Sequence, residues 1–209
     1  MTKAKKKYGQ NFLVDQGIIN KIIEAINPSN TEKILEIGPG LGALTTQILN
    51  KIKHIDVVEI DPDMIKVLQG KIPSANITIF PLSVLEMSND TIAKYDKVIG
   101  NLPYYISSEI LLKMIKTINN QKDLHFMLQK EVAERIASST HSKSYGRLSV
   151  MLQYFFNIEL LFDIQPKSFS PPPKVTSSLV RLIPKRHHAN KVRDINNFEK
   201  VLRMSFSQK

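Results

Sequence analysis

The sequence predicts an α/β fold, a Rossmann-like and mostly parallel sheet of seven strands wound on both faces by helices. Three observations carry that expectation. Between residues 33 and 138, short β-branched runs alternate with amphipathic helical patterns in the order βαβαβ(α)βαβα, which is the order of a doubly wound sheet. The first strand runs into Gly38-Pro39-Gly40-Leu41-Gly42, a loop that lets a ligand approach backbone N–H groups just before a helix begins. The fourth strand ends in Asn101-Leu102-Pro103-Tyr104, which puts polar and aromatic side chains at the carboxyl end of a buried parallel strand, where open sheets bind ligands.

The elements follow in order. Residues 1 to 14 contain no acid and carry Lys3, Lys5, Lys6 and Lys7, followed by Tyr8-Gly9-Gln10-Asn11-Phe12-Leu13, so they read as a basic N-terminal arm. From Asp15, a candidate N-cap, Ile18, Ile19, Ile22, Ile23 and Ile26 recur at helical spacing until Asn27-Pro28 ends the run. Lys33 to Ile37 is the first strand, and Leu44, Ile48, Leu49 and Ile52 mark the helix after the glycine loop. The second strand spans Ile55 to Ile60, and Asp61-Pro62 opens the next helix. Ile77 to Phe80 is the third strand, leading into Pro81-Leu82-Ser83-Val84-Leu85, and Lys97 to Gly100 is the fourth.

Ser107 or Ser108 is expected to cap a helix that carries Ile110, Leu111, Met114, Ile115 and Ile118 on one face. Leu124 to Leu128 is the fifth strand and Lys130 to Ser138 is helical, as is the run containing Leu148, Met151, Leu152 and Phe155. Ile158 to Ile164 and Leu179 to Ile183 supply the closing strands. Between them lies Phe169-Ser170-Pro171-Pro172-Pro173-Lys174-Val175, whose consecutive prolines predict a stiff extended arm presenting Phe169. Beyond Lys185 the chain turns basic, and Asn196 with Glu199 predicts a capping box for a short helix with Phe198, Val201 and Leu202. That helix has little left to pack on. The expected division is therefore a catalytic domain over 1–184, with 1–14 as its basic arm, and a basic linker over 185–209 that includes the first helix of a shortened helical domain.

Composition narrows the function. A chain of 209 residues suffices for one full core. Its 29 Lys plus Arg against 19 Asp plus Glu give a net charge of +10, which favours a polyanionic partner and nucleic acid first. There is no cysteine, which excludes disulfides and thiolate metal sites. His54, His125, His141, His187 and His188 show no ligand spacing, so no metal is expected. No apolar run approaches the roughly 18 residues that cross a bilayer, and the Lys-rich start lacks the apolar core of a secretory signal. The expectation is a soluble monomer of the cytoplasm, or of an organelle in a eukaryote, with no membrane partner.

Two motifs carry chemistry. Glu59 stands 19 residues after Gly40, where a carboxylate at a strand end can accept both hydroxyls of a ribose. Gly38, Gly40 and Ala43 satisfy the loose G-x-G-x-x-G/A fingerprint, which several nucleoside-cofactor families share. Asn101 to Tyr104 combine an amide with donor and acceptor, a proline that fixes φ and an aromatic face, a set able to hold a flat hydrogen-bonding ring. The plainer reading is a strand-end turn punctuated by proline.

Taken together, these stretches resemble the KsgA-type small-subunit ribosomal RNA adenine dimethyltransferases, relatives of the Erm methylases, over nearly the whole chain. The matching segments are Tyr8 to Leu13, Leu35-Glu36-Ile37-Gly38-Pro39-Gly40-Leu41-Gly42, Val58-Glu59-Ile60-Asp61 and Gly100-Asn101-Leu102-Pro103-Tyr104. Met127 to Val132, Tyr145-Gly146-Arg147-Leu148-Ser149-Val150 and Phe169 to Val175 follow in the family's order. The resemblance implies a class I S-adenosylmethionine-dependent methyltransferase fold. The implied activity is transfer of two methyl groups to the N6 of adenines in the rRNA of the immature small ribosomal subunit.

It further implies that Asn11 and Leu13 close over S-adenosylmethionine, that Gly38 lies under its methionine part and that Glu59 takes its ribose, with Gly40, Ile60, Ser83 and Val84 completing the cofactor set. Asn101 touches cofactor and substrate, Leu102 and Pro103 belong to the catalytic tetrapeptide, and Tyr104 and Phe169 stack on the base. Lys5, Lys6, Lys7, Arg147 and Lys174 are the implied RNA contacts. Two positions depart from the pattern: Ser83 stands where the family usually has an acid, implying a weaker hold on the cofactor, and Tyr105 stands where an Asn is frequent. The alternatives are an NAD-dependent oxidoreductase, which the glycine loop and Glu59 allow, and a non-catalytic RNA-binding assembly factor that keeps the fold. An Erm-like large-subunit target is a lesser alternative, disfavoured by Phe12-Leu13 and Tyr145-Gly146-Arg147.

Overall fold

The computed structural model describes residues 9–119, 121–185, 192 and 194–206. Its elements run β1 (Phe12–Leu13), α1 (Gln16–Ile26), β2 (Ile34–Ile37), α2 (Ala43–Leu49), β3 (Ile55–Val58), α3 (Pro62–Lys71), β4 (Ile77–Phe80), α4 (Asn89–Ile92) and β5 (Lys97–Asn101). They continue as α5 (Ser107–Ile115), β6 (Asp123–Gln129), α6 (Lys130–Ile136), α7 (Arg147–Phe155), β7 (Phe156–Ile164), β8 (Phe169–Ser170), β9 (Ser177–Pro184) and α8 (Ile195–Ser205).

Seven strands form one sheet in the order β4-β3-β2-β5-β6-β9-β7. The five from β2 to β6 are parallel, while β9 and β7 join antiparallel, so the sheet is mostly parallel as its pattern predicts. The chain builds outward from β2 through β3 to β4 and then returns to lay β5 on the other side of β2. That reversal opens a crevice at the carboxyl ends of β2 and β5. All four β2 residues are buried, so the strand is covered on both faces. Leu35 and Ile37 pack with α5 and Val98 in one core, and Ile34 packs with α1 and α2 in the other. Gly100 pairs with Ile37, and a Cβ on it would fall 2.5 Å from the Ile37 carbonyl oxygen, so only glycine allows β5 to lie this close.

Local chemistry sets most helix starts where the sequence places them. Asp15 caps α1 by accepting from the Ile18 N–H at 3.1 Å. Asn27 ends that helix in the left-handed region at φ 45°. Asp61 caps α3 ahead of Pro62. Two caps differ from the expectation. Ser107 is the first helical residue of α5 rather than its cap, because Tyr104–Ile106 already form a 3₁₀ turn that feeds the helix, and the Ser107 hydroxyl donates back to the Tyr104 carbonyl at 3.1 Å. In α8 the cap is Asp194, which accepts from the N–H groups of Asn196 and Asn197, so Asn196 lies inside the first turn. This helix also finds a partner: Leu202 is buried, and the Phe198 ring lies 5.1 Å from Tyr154 of α7. Val201, Met204 and Phe206 remain exposed.

Candidate active site

The crevice between β2 and β5 is a cleft walled by five segments: Gly9–Leu13, Gly38–Leu41, Glu59–Ile60, Leu82–Val84 and Asn101–Ile106. Gly38 and Gly40 hold φ values of 64° and 54°, a region costly for other residues. Gly40 is doubly constrained, since a Cβ there would meet the Phe12 ring at 3.0 Å.

The loop is tied to the next strand end. The Gly40 N–H donates to Glu59 Oε2 at 3.2 Å and the Asp61 N–H to Oε1 at 2.9 Å. Two backbone donors thus orient the carboxylate and leave further lone pairs for a ligand. Burial pushes the Glu59 carboxyl above its ordinary range, and the N–H donors pull it back down.

At the end of β5, Asn101 Nδ2 donates to the Asn11 carbonyl at 2.8 Å. That bond sets the orientation of the amide: the nitrogen faces a carbonyl, and Oδ1 is left as an acceptor with no hydrogen bond among the described residues. Leu102 is buried and donates its N–H to the Met127 carbonyl at 3.3 Å. The Tyr104 hydroxyl shares a 2.6 Å hydrogen bond with Ser177 Oγ, which fixes the ring, and burial raises its pKa.

The N-terminal arm crosses this cleft. Gln10 Nε2 donates to the buried Asp61 at 2.8 Å, Asn11 receives Asn101, Phe12 covers Gly40 and Gly9 lies against the Tyr105 ring. Ser83, at the turn after β4, uses its hydroxyl to accept from the Leu85 N–H at 3.2 Å.

The structure therefore brings together Asn11, Leu13, Gly38, Gly40, Glu59, Ile60, Ser83, Val84 and Asn101, with Leu102, Pro103 and Tyr104 beside them. Phe169 is placed elsewhere. Instead of standing on an extended arm over the cleft, it pairs with Leu13 in the β1–β8 ribbon and is 3% exposed, in the core formed by Ile164, Met127 and Leu179. Burying the whole ring is favoured by roughly 1.5–3 kcal/mol over leaving it in water, which is why it lies inward. Arg147 is the first residue of α7, half-buried, and Lys174 is exposed in the loop before β9; neither lines the cleft. Lys5, Lys6 and Lys7 lie outside the described residues.

A further acid, to which the sequence motifs assign no role, also lines the cleft. Glu36 is 2% exposed and lines the floor of the cleft, accepting from the Thr45 hydroxyl at 2.6 Å. Burial pushes its carboxyl up to about 7, and the charge of Glu59 pushes the same way. The available signal was an acid inside the otherwise apolar run Ile34-Leu35-Glu36-Ile37. No group of residues able to hold a metal is found among the described residues, nor a helix long and apolar enough to cross a membrane.

Comparison with known proteins gives a consistent set of relatives. The family model for ribosomal RNA adenine dimethylases matches residues 1–209. The ribosomal RNA small subunit methyltransferase A of Neisseria meningitidis serogroup C is 44% identical over 207 residues, which is 99% of this chain and 80% of that protein. The protein of the same name from Methylobacillus flagellatus is 43% identical over 206 residues, 99% of this chain and 81% of that one. Among solved structures, a dimethyladenosine transferase from Plasmodium falciparum superposes with a TM-score of 0.85 at 31% identity, covering 95% of this chain and 71% of that chain. The 23S rRNA methyltransferase ErmE gives 0.75 at 25% identity, covering 94% and 79%.

Proposed function

The chain belongs to the ribosomal RNA adenine dimethylase family, and from that premise we propose which of its residues carry the methyl transfer. The enzyme is an rRNA adenine methyltransferase. S-adenosylmethionine, when bound, supplies a methyl group activated on a positively charged sulfur.

The cleft fits that molecule. The Glu59 carboxylate, held by two N–H groups, suits the paired hydroxyls of a ribose. Ile60 and Val84 offer apolar walls for a flat purine, with the Ser83 hydroxyl at its edge. Gly38 and Gly40, lacking side chains, let the amino-acid part approach the backbone. Asn11 and Leu13 on the arm cover it.

Asn101 Oδ1 is the acceptor that receives an N–H of the substrate adenine amino group, and the Leu102 carbonyl receives the other. That amino group is a poor nucleophile because its lone pair is delocalised into the ring. Two acceptors on its hydrogens favour a pyramidal nitrogen whose lone pair points at the methyl carbon. With the methyl donor bound, the N–C bond would form as the S–C bond breaks, leaving a neutral thioether, and the cationic nitrogen would then give its proton to water, so no strong base is required. After the first transfer one N–H remains, and a single acceptor suffices for the second. Tyr104, its hydroxyl held by Ser177, presents its ring to the base. Most of the rate comes from holding nitrogen, carbon and sulfur in line.

A paired adenine cannot reach this depth, so the substrate base is flipped or already unpaired. The proposed target is rRNA of the small subunit, met where that subunit is assembled, in the cytoplasm or, in a eukaryote, in an organelle. Arg147, Lys174 and the lysines of the arm contact its phosphates.

The observation that carries this reading is the Asn101–Asn11 hydrogen bond, which leaves Oδ1 as a free acceptor in the same cleft as Glu59. The test is calorimetric titration with S-adenosylmethionine and NAD in parallel, then methyl transfer to unmodified small ribosomal subunits by wild-type and Asn101→Ala protein. The expected result is binding of the methyl donor and formation of dimethyladenosine, with kcat lowered about 100-fold in the variant, the scale of losing one oriented polar contact in a transition state. Binding without turnover would favour the assembly-factor reading, and NAD binding would overturn the site.

A further inference from the structure

We propose that Tyr105 is a second stacking platform at the mouth of the cleft, which takes the nucleobase next to the target adenine in the RNA strand. This deepens the adenine-methylation reading and rests on it. Tyr105 is 62% exposed, yet it lines the same cleft as Asn101 and Tyr104. Its hydroxyl makes no hydrogen bond among the described residues, so no polar contact among them ties this largely exposed ring to the fold.

The turn geometry separates the two tyrosines. Pro103 enters at φ −58° and Tyr104–Ile106 form a 3₁₀ turn. With three residues per turn, successive side chains diverge by roughly 120°. Tyr104 therefore points inward to Ser177 while Tyr105 points out to the rim. On its other side the ring is bounded by the arm, for a Cβ on Gly9 would lie 3.3 Å from Tyr105 Cδ1. The arm's glycine keeps that flank of the ring narrow, and the remainder of the ring faces solvent at the entrance.

The chemistry of the substrate supplies the partner. When an adenine leaves its strand to enter the cleft, the adjoining base loses a stacking neighbour on one face. It is tethered by a single phosphodiester link, so it waits at the mouth. An exposed aromatic ring there replaces the lost stack, and does so for any base, since every base has a π-face. Tyr105 then lowers the cost of extruding the target, which places its contribution in RNA binding rather than in the transfer step.

The experiment compares wild-type, Tyr105→Ala and Tyr105→Phe proteins by KM and kcat on unmodified small ribosomal subunits, by Kd for S-adenosylmethionine and by thermal midpoint. Tyr105→Ala is expected to raise KM about tenfold, the scale of one base–aromatic stack, with the loss falling on KM rather than kcat. Tyr105→Phe is expected to match wild type, because the ring and not the hydroxyl does the stacking. A KM unchanged in Tyr105→Ala would overturn the proposal. So would an equal loss of S-adenosylmethionine affinity, which would assign the ring to the cofactor or to holding the arm. A single-stranded RNA with 2-aminopurine beside an adenine gives a second readout: quenching by wild type and Tyr105→Phe but not by Tyr105→Ala is expected, and equal quenching by all three sinks the idea. Wild-type protein that methylates no adenine would defeat the underlying reading, whereas turnover with these variants indistinguishable defeats Tyr105 alone.

Discussion

Glu36 holds a carboxyl in surroundings that oppose its charge, and the sign of its effect on stability follows directly. Burial raises its pKa from an ordinary 4.5 to about 7. The folded protein therefore binds more protons than the unfolded chain between those values, and the stabilising contribution is present below 4.5 and lost as pH rises through 7. A pKa difference of one is worth about 1.36 kcal/mol, so the ionised form costs on the order of 3 kcal/mol at pH 8. Glu36→Gln, which can still accept from Thr45, is expected to be more stable than wild type at pH 8 and to lose that advantage at pH 5, as read by urea denaturation at the two pH values. Ser83 makes a different prediction. Its hydroxyl is turned into its own loop, toward the Leu85 N–H. Ser83→Asp keeps that acceptor and adds a second oxygen for the amino group of the cofactor's adenine. The expected gain is about 1 kcal/mol in S-adenosylmethionine binding, measured by calorimetry; unchanged affinity would show that no hydrogen bond is made there.

At the level of elements, the arm and the proline-rich segment act as one unit. The β1–β8 ribbon joins Phe12–Leu13 to Phe169–Ser170, and the Val14 N–H donates to the Ser168 carbonyl at 2.9 Å. Asp15 extends the tie, for its carboxylate caps α1 and also receives the Ser168 hydroxyl at 3.0 Å. Phe169 is the apolar anchor of this junction. Phe169→Ala is expected to lower stability by roughly 3–5 kcal/mol, the usual cost of emptying a buried aromatic site. Because the ribbon positions Asn11 over Asn101, the same variant should weaken S-adenosylmethionine binding. A Phe169→Ala protein with wild-type melting temperature and cofactor affinity, but a raised KM for ribosomal subunits, would return Phe169 to the stacking role that the sequence suggests for it.

Across the whole molecule, chemistry gathers at one end of the sheet and a charge network centred on the buried Asp123 at the other. Asp123 at the start of β6 binds Lys97 at 2.8 Å and Arg181 at 2.7 Å, while Lys122 reaches Glu32 at 2.8 Å. His125 lies within this group, 1% exposed, with Nδ1 3.5 Å from Asp123 Oδ1. Burial drives its pKa down to about 4; Asp123 opposes the shift, and Lys97 and Arg181 add to it. Here the unfolded chain binds the extra proton, so the contribution is complete above 6.5 and is lost as pH falls toward 4. The fall in stability from pH 7 to pH 5 should be shallower in His125→Leu than in wild type, and a parallel fall would remove His125 as its source. The two buried groups therefore pull the pH profile in opposite directions, and the single variants separate them.

Much of this molecule is legible in its residues. The βαβ alternation, the glycine loop and the placement of Asn101 and Glu59 at strand ends follow from hydrophobic period and turn chemistry, which act over a few residues and so leave a local trace. The caps of α5 and α8 lie one or two residues from where the sequence places them, because several polar side chains nearby can serve and only the path of the preceding turn selects among them. Phe169 illustrates the limit: three prolines predict its extended backbone, but whether its ring faces a cleft or a core depends on Leu13, some 150 residues away and paired to it only in the folded chain. Glu36 and Tyr105 belong to the same class. An acid in an apolar strand and a tyrosine after a tyrosine are visible in sequence, while the burial of one and the exposure of the other arise from long-range packing. By itself the sequence determined the sheet, its ligand-binding edge and the residue types gathered there; tertiary structure alone decided which side chains face the cleft, because orientation is set by contacts between segments distant along the chain.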